Sequence, residues 1–458
     1  MSLDAVLSQI DTDLPAATER LLELLRIQSI STDPAYKDAC QDAADWLVAD
    51  LQSLGIDAQK RETPGHPMVV GHVGPEDGRP HLLFYGHYDV QPVDPIELWD
   101  RNPFDPAVEE TDAGPVIRGR GAADDKGQLM TFIEAFRAWK TVHGDWPCRV
   151  TFFFEGEEES GSPSLVPFME EHKEELRADF AMICDTGMFE SKTPSIVTML
   201  RGLLGEELTI TAPTKDLHSG MFGGIAMNPI RVMSRIIASL HDDQGRITVP
   251  GFYDGVPELS DELEAQWQGL AFDHAAFLGD VGLSEPAGEQ DRTPLEMIWS
   301  RPTCEVNGIG GGYQGDGFKT VLPSQAHAKI SFRLVEGQDP LVIRENFRAM
   351  VEGMLPADCS VEWTGHGASR ASGTPTDDPA FGKALKALSD EWNVPAAYIG
   401  CGGSIPIAGH FQNILGTPPV LIGFGKDDDQ IHSPNEKYDM ESFHKGIRSW
   451  ARILDAIT

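Results

Sequence analysis

The sequence has no paired cysteines, few basic residues and no long apolar run, and each lack removes a class of protein. Its six cysteines, Cys40, Cys148, Cys184, Cys304, Cys359 and Cys401, stand apart with no Cys-x-x-Cys pair. A disulfide-stapled scaffold and a thiolate zinc site are not expected, whereas a reducing compartment is. Lys and Arg number 36 against 72 Asp and Glu, a formal net charge of −36. A surface of that sign repels phosphate, so neither nucleic acid nor an anionic membrane is an expected partner. No stretch approaches the roughly 18 apolar residues of a membrane span. The first residues, MSLDAVLSQIDTDLP, lack the basic-then-apolar order of a signal peptide. The expectation is a soluble, cytoplasmic protein. No internal repeat or low-complexity tract is evident.

The 458 residues suffice for several domains and for a core that needs no staple. Leu14, Leu21, Leu22 and Leu25 form one helical stripe near the start. Ala43, Trp46, Leu47, Leu51 and Leu54 form a second, with Gly55 as its stop. Short apolar runs at 82–85, 150–154 and 181–184 are too short for helices and read as buried strands. Between the first two lies a predicted helix over 126–140, with Leu129, Phe132, Ile133, Phe136 and Trp139 on one face. This alternation predicts an α/β fold with a central, mostly parallel sheet. From about residue 207 the texture changes. A strand at 208–211 precedes a helix opened by Asn228 and Pro229. An alternating strand at 328–334, a helix from Asp339-Pro340 to about 354 and a strand at 359–363 complete a small α+β sandwich. Residues 365–376 (GHGASRASGTPT) read as an exit loop. A strand at 420–424 and a helix over 440–457 resume the first pattern. The chain thus reads as one α/β domain, 1–206 and 371–458, interrupted by a smaller domain, 207–370.

The chemistry clusters at strand ends. The first apolar run leads into Gly86-His87-Tyr88-Asp89, the second into Glu155 with Glu157, Glu158 and Glu159, the third into Asp185. Ligands of open α/β sheets bind at the carboxyl ends of strands. Asp124 and Asp125 open the 126–140 helix, and His432 lies in a loop near the C-terminus. Each feature alone has a plain reading: a solvated acidic face, an N-cap pair favoured by the helix dipole, a surface histidine. His66, His81, His143, His172 and His410 keep that plain reading. Two histidines with several carboxylates suit two divalent cations sharing a carboxylate, with a further carboxylate as base for a water.

The strings GHYDVQP, GRGAADDKG, EGEEESGS and IHSPNEKY occur in that order. Together they resemble the di-zinc metallopeptidases that include aminoacylase, carboxypeptidase G, succinyl-diaminopimelate desuccinylase and carnosinase. DLHSGMFGG and CGGSIPI look most like the branch of cytosolic non-specific dipeptidase and carnosinase. The resemblance implies a zinc-peptidase-like catalytic domain with an inserted lid and dimerisation domain. It implies two zinc ions per subunit, replaceable by manganese or cobalt. His87 and Asp185 would hold one ion, Glu159 and His432 the other, with Asp124 between them and the Asp124–Asp125 peptide cis. Glu158 resembles the general base and Asp89 the carboxylate orienting His87. His218 resembles a histidine lent across a homodimer, and Arg333, Gly403 and Ser404 resemble the group holding the substrate carboxylate.

One departure bears on substrate. Relatives of this branch carry arginine and glutamate where this chain has Gly400 and Cys401. That leaves three readings: a dipeptidase or small-peptide carboxypeptidase, an N-acyl amino acid deacylase, and a non-catalytic dimeric binding protein on the same fold. The complete ligand set argues against the last.

Overall fold

The computed structural model describes residues 2–374, 376–403 and 406–458, with Pro406 described by its backbone alone. The chain divides into two compact units. The first comprises residues 1–198, 374–399 and 407–458, and the second 199–373 and 400–406.

In the first unit the apolar runs become strands. The sheet order is Asp57–Arg61, Met68–Val73, Arg149–Glu155, His81–His87, Phe180–Ile183, Pro419–Leu421 and Ser195–Leu200. The four strands from Arg149–Glu155 to Pro419–Leu421 are mutually parallel, and antiparallel strands flank them. Phe84, Phe152 and Phe154 are buried, as a sheet covered on both faces requires. Register decides where the polar ends fall. His87 lies opposite Glu155, and Tyr85 opposite Ile183, so three strand ends reach the same edge.

The helix Lys126–His143 covers this sheet, with Phe132 stacked on Phe84 at 3.8 Å between ring centroids. Its sequence suggests a single apolar face, yet Gln128, Thr131 and Glu134 are buried too. Helices Leu3–Leu25 and Met440–Ile457 pack against it, so its polar groups must find partners inside. Gln128 Oε1 accepts from Phe424 N at 2.7 Å, and Thr131 Oγ1 accepts from Trp450 Nε1 at 3.0 Å. Glu134 accepts from Arg20 at 2.6 and 2.7 Å.

The second unit is an antiparallel sheet in the order Thr303–Gly311, Gln325–Leu334, Gly202–Thr211, Ser360–Ser369. Helices Pro229–Ala238 and Pro340–Met354 pack on it around Leu208, Ile236, Phe332 and Phe347. Both helices start as the sequence predicts, Asn228 capping Ile230 N and Asp339 capping Leu341 N, each at 2.9 Å. Buried Glu206 accepts from Arg344 Nε at 2.6 Å and Arg348 Nε at 2.7 Å. The 365–376 stretch differs from its loop reading. Residues 365–369 extend a strand and Ser372–Gly373 form another. The Gly202–Thr211 strand supplies the backbone partners of residues 365–369 across a register shift between Gly365 and Ala368, and Ser372–Gly373 pair with Met199 and Leu200, so pairing absorbs the glycines. Among the described residues, no helix is long and apolar enough to cross a membrane.

One histidine, at the end of the His81–His87 strand opposite His87, carries a pH signature. His81 Nε2 lies 2.9 Å from Thr151 Oγ1. Burial and the Arg149 charge push its imidazole down to about 4 from an ordinary 6.5. The unfolded chain therefore takes up this proton first as pH falls. The contribution of His81 is full above about pH 6.5 and is lost between 6.5 and 4. His81→Gln is expected to lose less stability than the parent between pH 7 and 4.5, measured by urea unfolding at each pH.

Candidate active site

Seven of the residues singled out in the sequence meet in the first unit. His87 ends its strand, buried, with Nδ1 3.1 Å from the backbone oxygen of Asp89. A carbonyl can only accept, so Nδ1 carries a hydrogen and Nε2 is the nitrogen turned toward Asp124 and Asp185. His87 Nε2 lies 2.9 Å from Asp124 Oδ1 and 3.9 Å from Asp185 Oδ2. The other oxygen of Asp124 lies 3.0 Å from His432 Nε2, which is 3.2 Å from Glu159 Oε2. Two triads result, His87–Asp124–Asp185 and Asp124–Glu159–His432, each with its ligand atoms within 4.8 Å of one another. Asp124 belongs to both, one oxygen to each.

Asp89 connects strand to loop. Its two oxygens accept from the backbone N–H groups of Glu158 at 3.2 Å and Glu159 at 3.1 Å. Its Oδ1 also lies 3.4 Å from His87 Nδ1. The one carboxylate thus fixes both an imidazole and the turn bearing Glu158 and Glu159. Space is tight here: a β-carbon on Gly156 would meet the Tyr88 ring at 2.4 Å, so only glycine lets the chain turn after Glu155. Asp125 does not cap the helix it precedes. Its Oδ2 accepts from His87 N at 3.1 Å, and the Asp124–Asp125 peptide is cis.

The electrostatics call for positive charge. Burial alone would strip His87 of its proton, but the Asp124 and Asp89 carboxylates outweigh it and hold the imidazole well above its ordinary range. Asp124 and Glu159 raise His432 to about 10. Asp185 is pushed up to about 7 by burial and by the charge of Asp124. Burial pushes Glu158 up, as do Glu159, Asp89 and Asp124, against the pull of His87. Carboxylates crowded this closely need cations, and a donor set of imidazole nitrogen and carboxylate oxygen fits two divalent ions. The residues present therefore fit a metal pair.

The remaining sequence candidates lie in the second unit. His218 is exposed, its Nδ1 accepting from Gly220 N at 3.1 Å. Arg333 lies on Gln325–Leu334, opposite Leu203. Gly403 O accepts from Arg201 N at 3.2 Å. Ser404 lies outside the described residues. Gly400 sits under Trp299, whose Cβ a β-carbon there would meet at 2.4 Å. The side-chain space at that position is filled by the base of the Trp299 side chain.

Sequence reasoning missed three residues. Gln91 donates from Nε2 to Glu159 Oε2 at 2.7 Å. Buried Arg201 donates to the Met297 carbonyl. Burial and the neighbouring Arg333 charge lower its pKa to about 10. Glu436 is buried and accepts from the loop that carries Asp124. Gln91 and Glu436 stood inside quoted motifs, and Arg201 follows directly on an apolar strand.

Comparison with known proteins agrees with this geometry. The model of the peptidase family M20/M25/M40 matches residues 83–456. A Cys-Gly metallodipeptidase of Schizosaccharomyces pombe is 30% identical, over 98% of this chain and 97% of its own. Human carnosine dipeptidase 1 superposes with a TM-score of 0.75 at 26% identity, covering 100% of this chain and 99% of that one. An M20 family metallo-carboxypeptidase of Sulfolobus solfataricus gives a TM-score of 0.78 at 30% identity, covering 96% and 99%. The match runs through every strand end that carries a candidate ligand, and the chain belongs to the peptidase family M20/M25/M40.

Proposed function

We propose that this protein is a metal-dependent dipeptidase that cleaves the amide bond of dipeptides or small peptides with a free C-terminal carboxylate. The observation that carries the reading is the pair of triads sharing Asp124, with Glu158 beside them. His87 and Asp185 would hold one ion, Glu159 and His432 the other, and Asp124 both. Zinc suits these donors, with manganese or cobalt as substitutes. When bound, such a pair supplies Lewis-acid polarisation of the carbonyl and an acidified water. Glu158 takes the proton of the attacking water on its carboxylate and delivers it to the leaving nitrogen. Asp89 keeps His87 and the Glu158 turn in register throughout. Arg333 pairs with the substrate carboxylate, aided by the loop of Gly403 and Ser404.

His218 would act from a partner subunit of a homodimer, donating to the developing oxyanion. The large apolar residues around it support a covered surface: Met221, Phe222 and Ile225 are 75%, 40% and 84% exposed. In this reading residues 207–370 form the lid and dimerisation domain, and the enzyme is cytoplasmic.

A second reading is favoured by the Gly400-Cys401 departure. Cys401 stands where the resemblance places a glutamate, so the segment offers no carboxylate there for a free α-ammonium. An N-acyl amino acid would then be preferred, making the protein a deacylase. A paired assay separates the two: Ala-Gly against N-acetyl-Ala-Gly, with zinc or manganese, before and after chelation. Faster metal-dependent cleavage of the free dipeptide is expected. Faster cleavage of the blocked form selects the deacylase, and metal-independent turnover rejects both.

A further inference from the structure

We infer that Glu436 is a positioning residue that sets the backbone of Asp124 and thereby the affinity of both metal positions. The inference rests on the metal-pair reading above.

Glu436 lies four positions beyond His432 and is fully buried. Its Oε2 accepts from Arg120 Nη1 at 2.7 Å and Gly121 N at 3.0 Å. Its Oε1 accepts from Ala123 N at 2.9 Å and Asp124 N at 3.2 Å. Its own carbonyl accepts from Gly119 N at 3.1 Å. Every acceptor site of the carboxylate faces the 119–124 loop, and one bond reaches the amide of the shared ligand itself. Arg120 carries the clamp further, donating Nη2 to Pro92 O at 3.1 Å, just past Gln91. The Arg120–Glu436 pair thus ties together the segment after His87, the loop of Asp124 and the segment of His432.

The chemistry of the carboxylate explains why it is there. Four N–H groups turned inward on one loop need an acceptor with several lone pairs, and an ionised carboxylate offers about four. A glutamine has the same shape but one oxygen. Its amide hydrogens would face either Arg120 and Gly121 or Ala123 and Asp124, donor against donor. The loop would relax, and with it the angle at which Asp124 presents one oxygen to each triad. Groups that orient metal ligands in this way commonly govern affinity 10- to 100-fold.

The test is metal affinity, read without substrate, by titrating the metal-free protein with zinc against a chromophoric chelator. Glu436→Gln is expected to weaken zinc roughly 10- to 100-fold, with the metal-free protein keeping its circular dichroism. Glu206→Gln serves as the comparison, because it breaks a buried ion pair in the second unit, which carries neither triad. It should lower the melting temperature and leave zinc affinity unchanged. If Glu436→Gln fails to fold, the orphaned Arg120 charge is removed as well, and affinity is read on Arg120→Met/Glu436→Gln. Native zinc affinity in a folded Glu436 variant overturns the inference. So does weakening in Glu206→Gln equal to that in Glu436→Gln, which would make the effect one of general stability. The peptidase reading fails separately, through the paired substrate assay, without altering this readout.

Discussion

Asp124→Ala is expected to empty both metal positions and lower kcat/KM by about 10³- to 10⁴-fold or more. Each oxygen of this carboxylate serves a different imidazole, at 2.9 Å to His87 and 3.0 Å to His432. Removing it reduces both triads to two members and takes away the charge that balances two imidazoles. Metal polarisation of a reacting carbonyl is worth several kcal/mol, and each 1.36 kcal/mol is a factor of ten in rate. Metal analysis after gel filtration, beside circular dichroism of the same sample, is the check. Two ions retained per chain would mean that Asp124 is not shared between them.

Glu158→Gln is expected to do the opposite with metal. It should keep both ions, change KM by no more than a few-fold, and lower kcat about 10²- to 10⁴-fold, the range of a positioned general base. Its backbone N–H is pinned by Asp89 Oδ1 at 3.2 Å, so the turn should hold when the side chain becomes an amide. The next residue, Glu159, has its own N–H pinned by Asp89 Oδ2 at 3.1 Å and is expected to remain as a ligand. Near-parental kcat with metal bound would remove Glu158 as the base. The two variants thus separate holding metal from moving the proton.

The candidate site was unevenly legible in the sequence. His87 and Asp185 stood out because each follows a short apolar run, and in a parallel sheet such runs deliver their ends to one edge. The run Glu155 to Glu159 was legible as acidic but not as four different roles. Glu155 accepts from Tyr85 Oη at 2.5 Å. Glu157 accepts from His66 N at 2.9 Å and Ser164 N at 3.0 Å. Only Glu158 and Glu159 remain for chemistry, because the strand stops at Glu155 and a 3-10 turn begins at Glu158. Residues 365–369 looked like a linker by their glycines, and a neighbouring strand made them part of a sheet. Glu436 stood unassigned within the IHSPNEKY string, and nothing local says that it lies buried against Arg120.

The sequence by itself determined the strands at 82–85, 150–154 and 181–184, the helices opened by Asn228 and Asp339 and the residues at the strand ends, because periodicity and capping act over a few neighbouring positions. Only the tertiary structure decided which carboxylates face one another. Arg120 and Glu436 are 316 positions apart and meet at 2.7 Å. Such contacts depend on the order in which strands join the sheet and on burial that no local pattern encodes. A sheet edge gathers what distant segments contribute, and the identity of each contributor is written locally while their meeting is not.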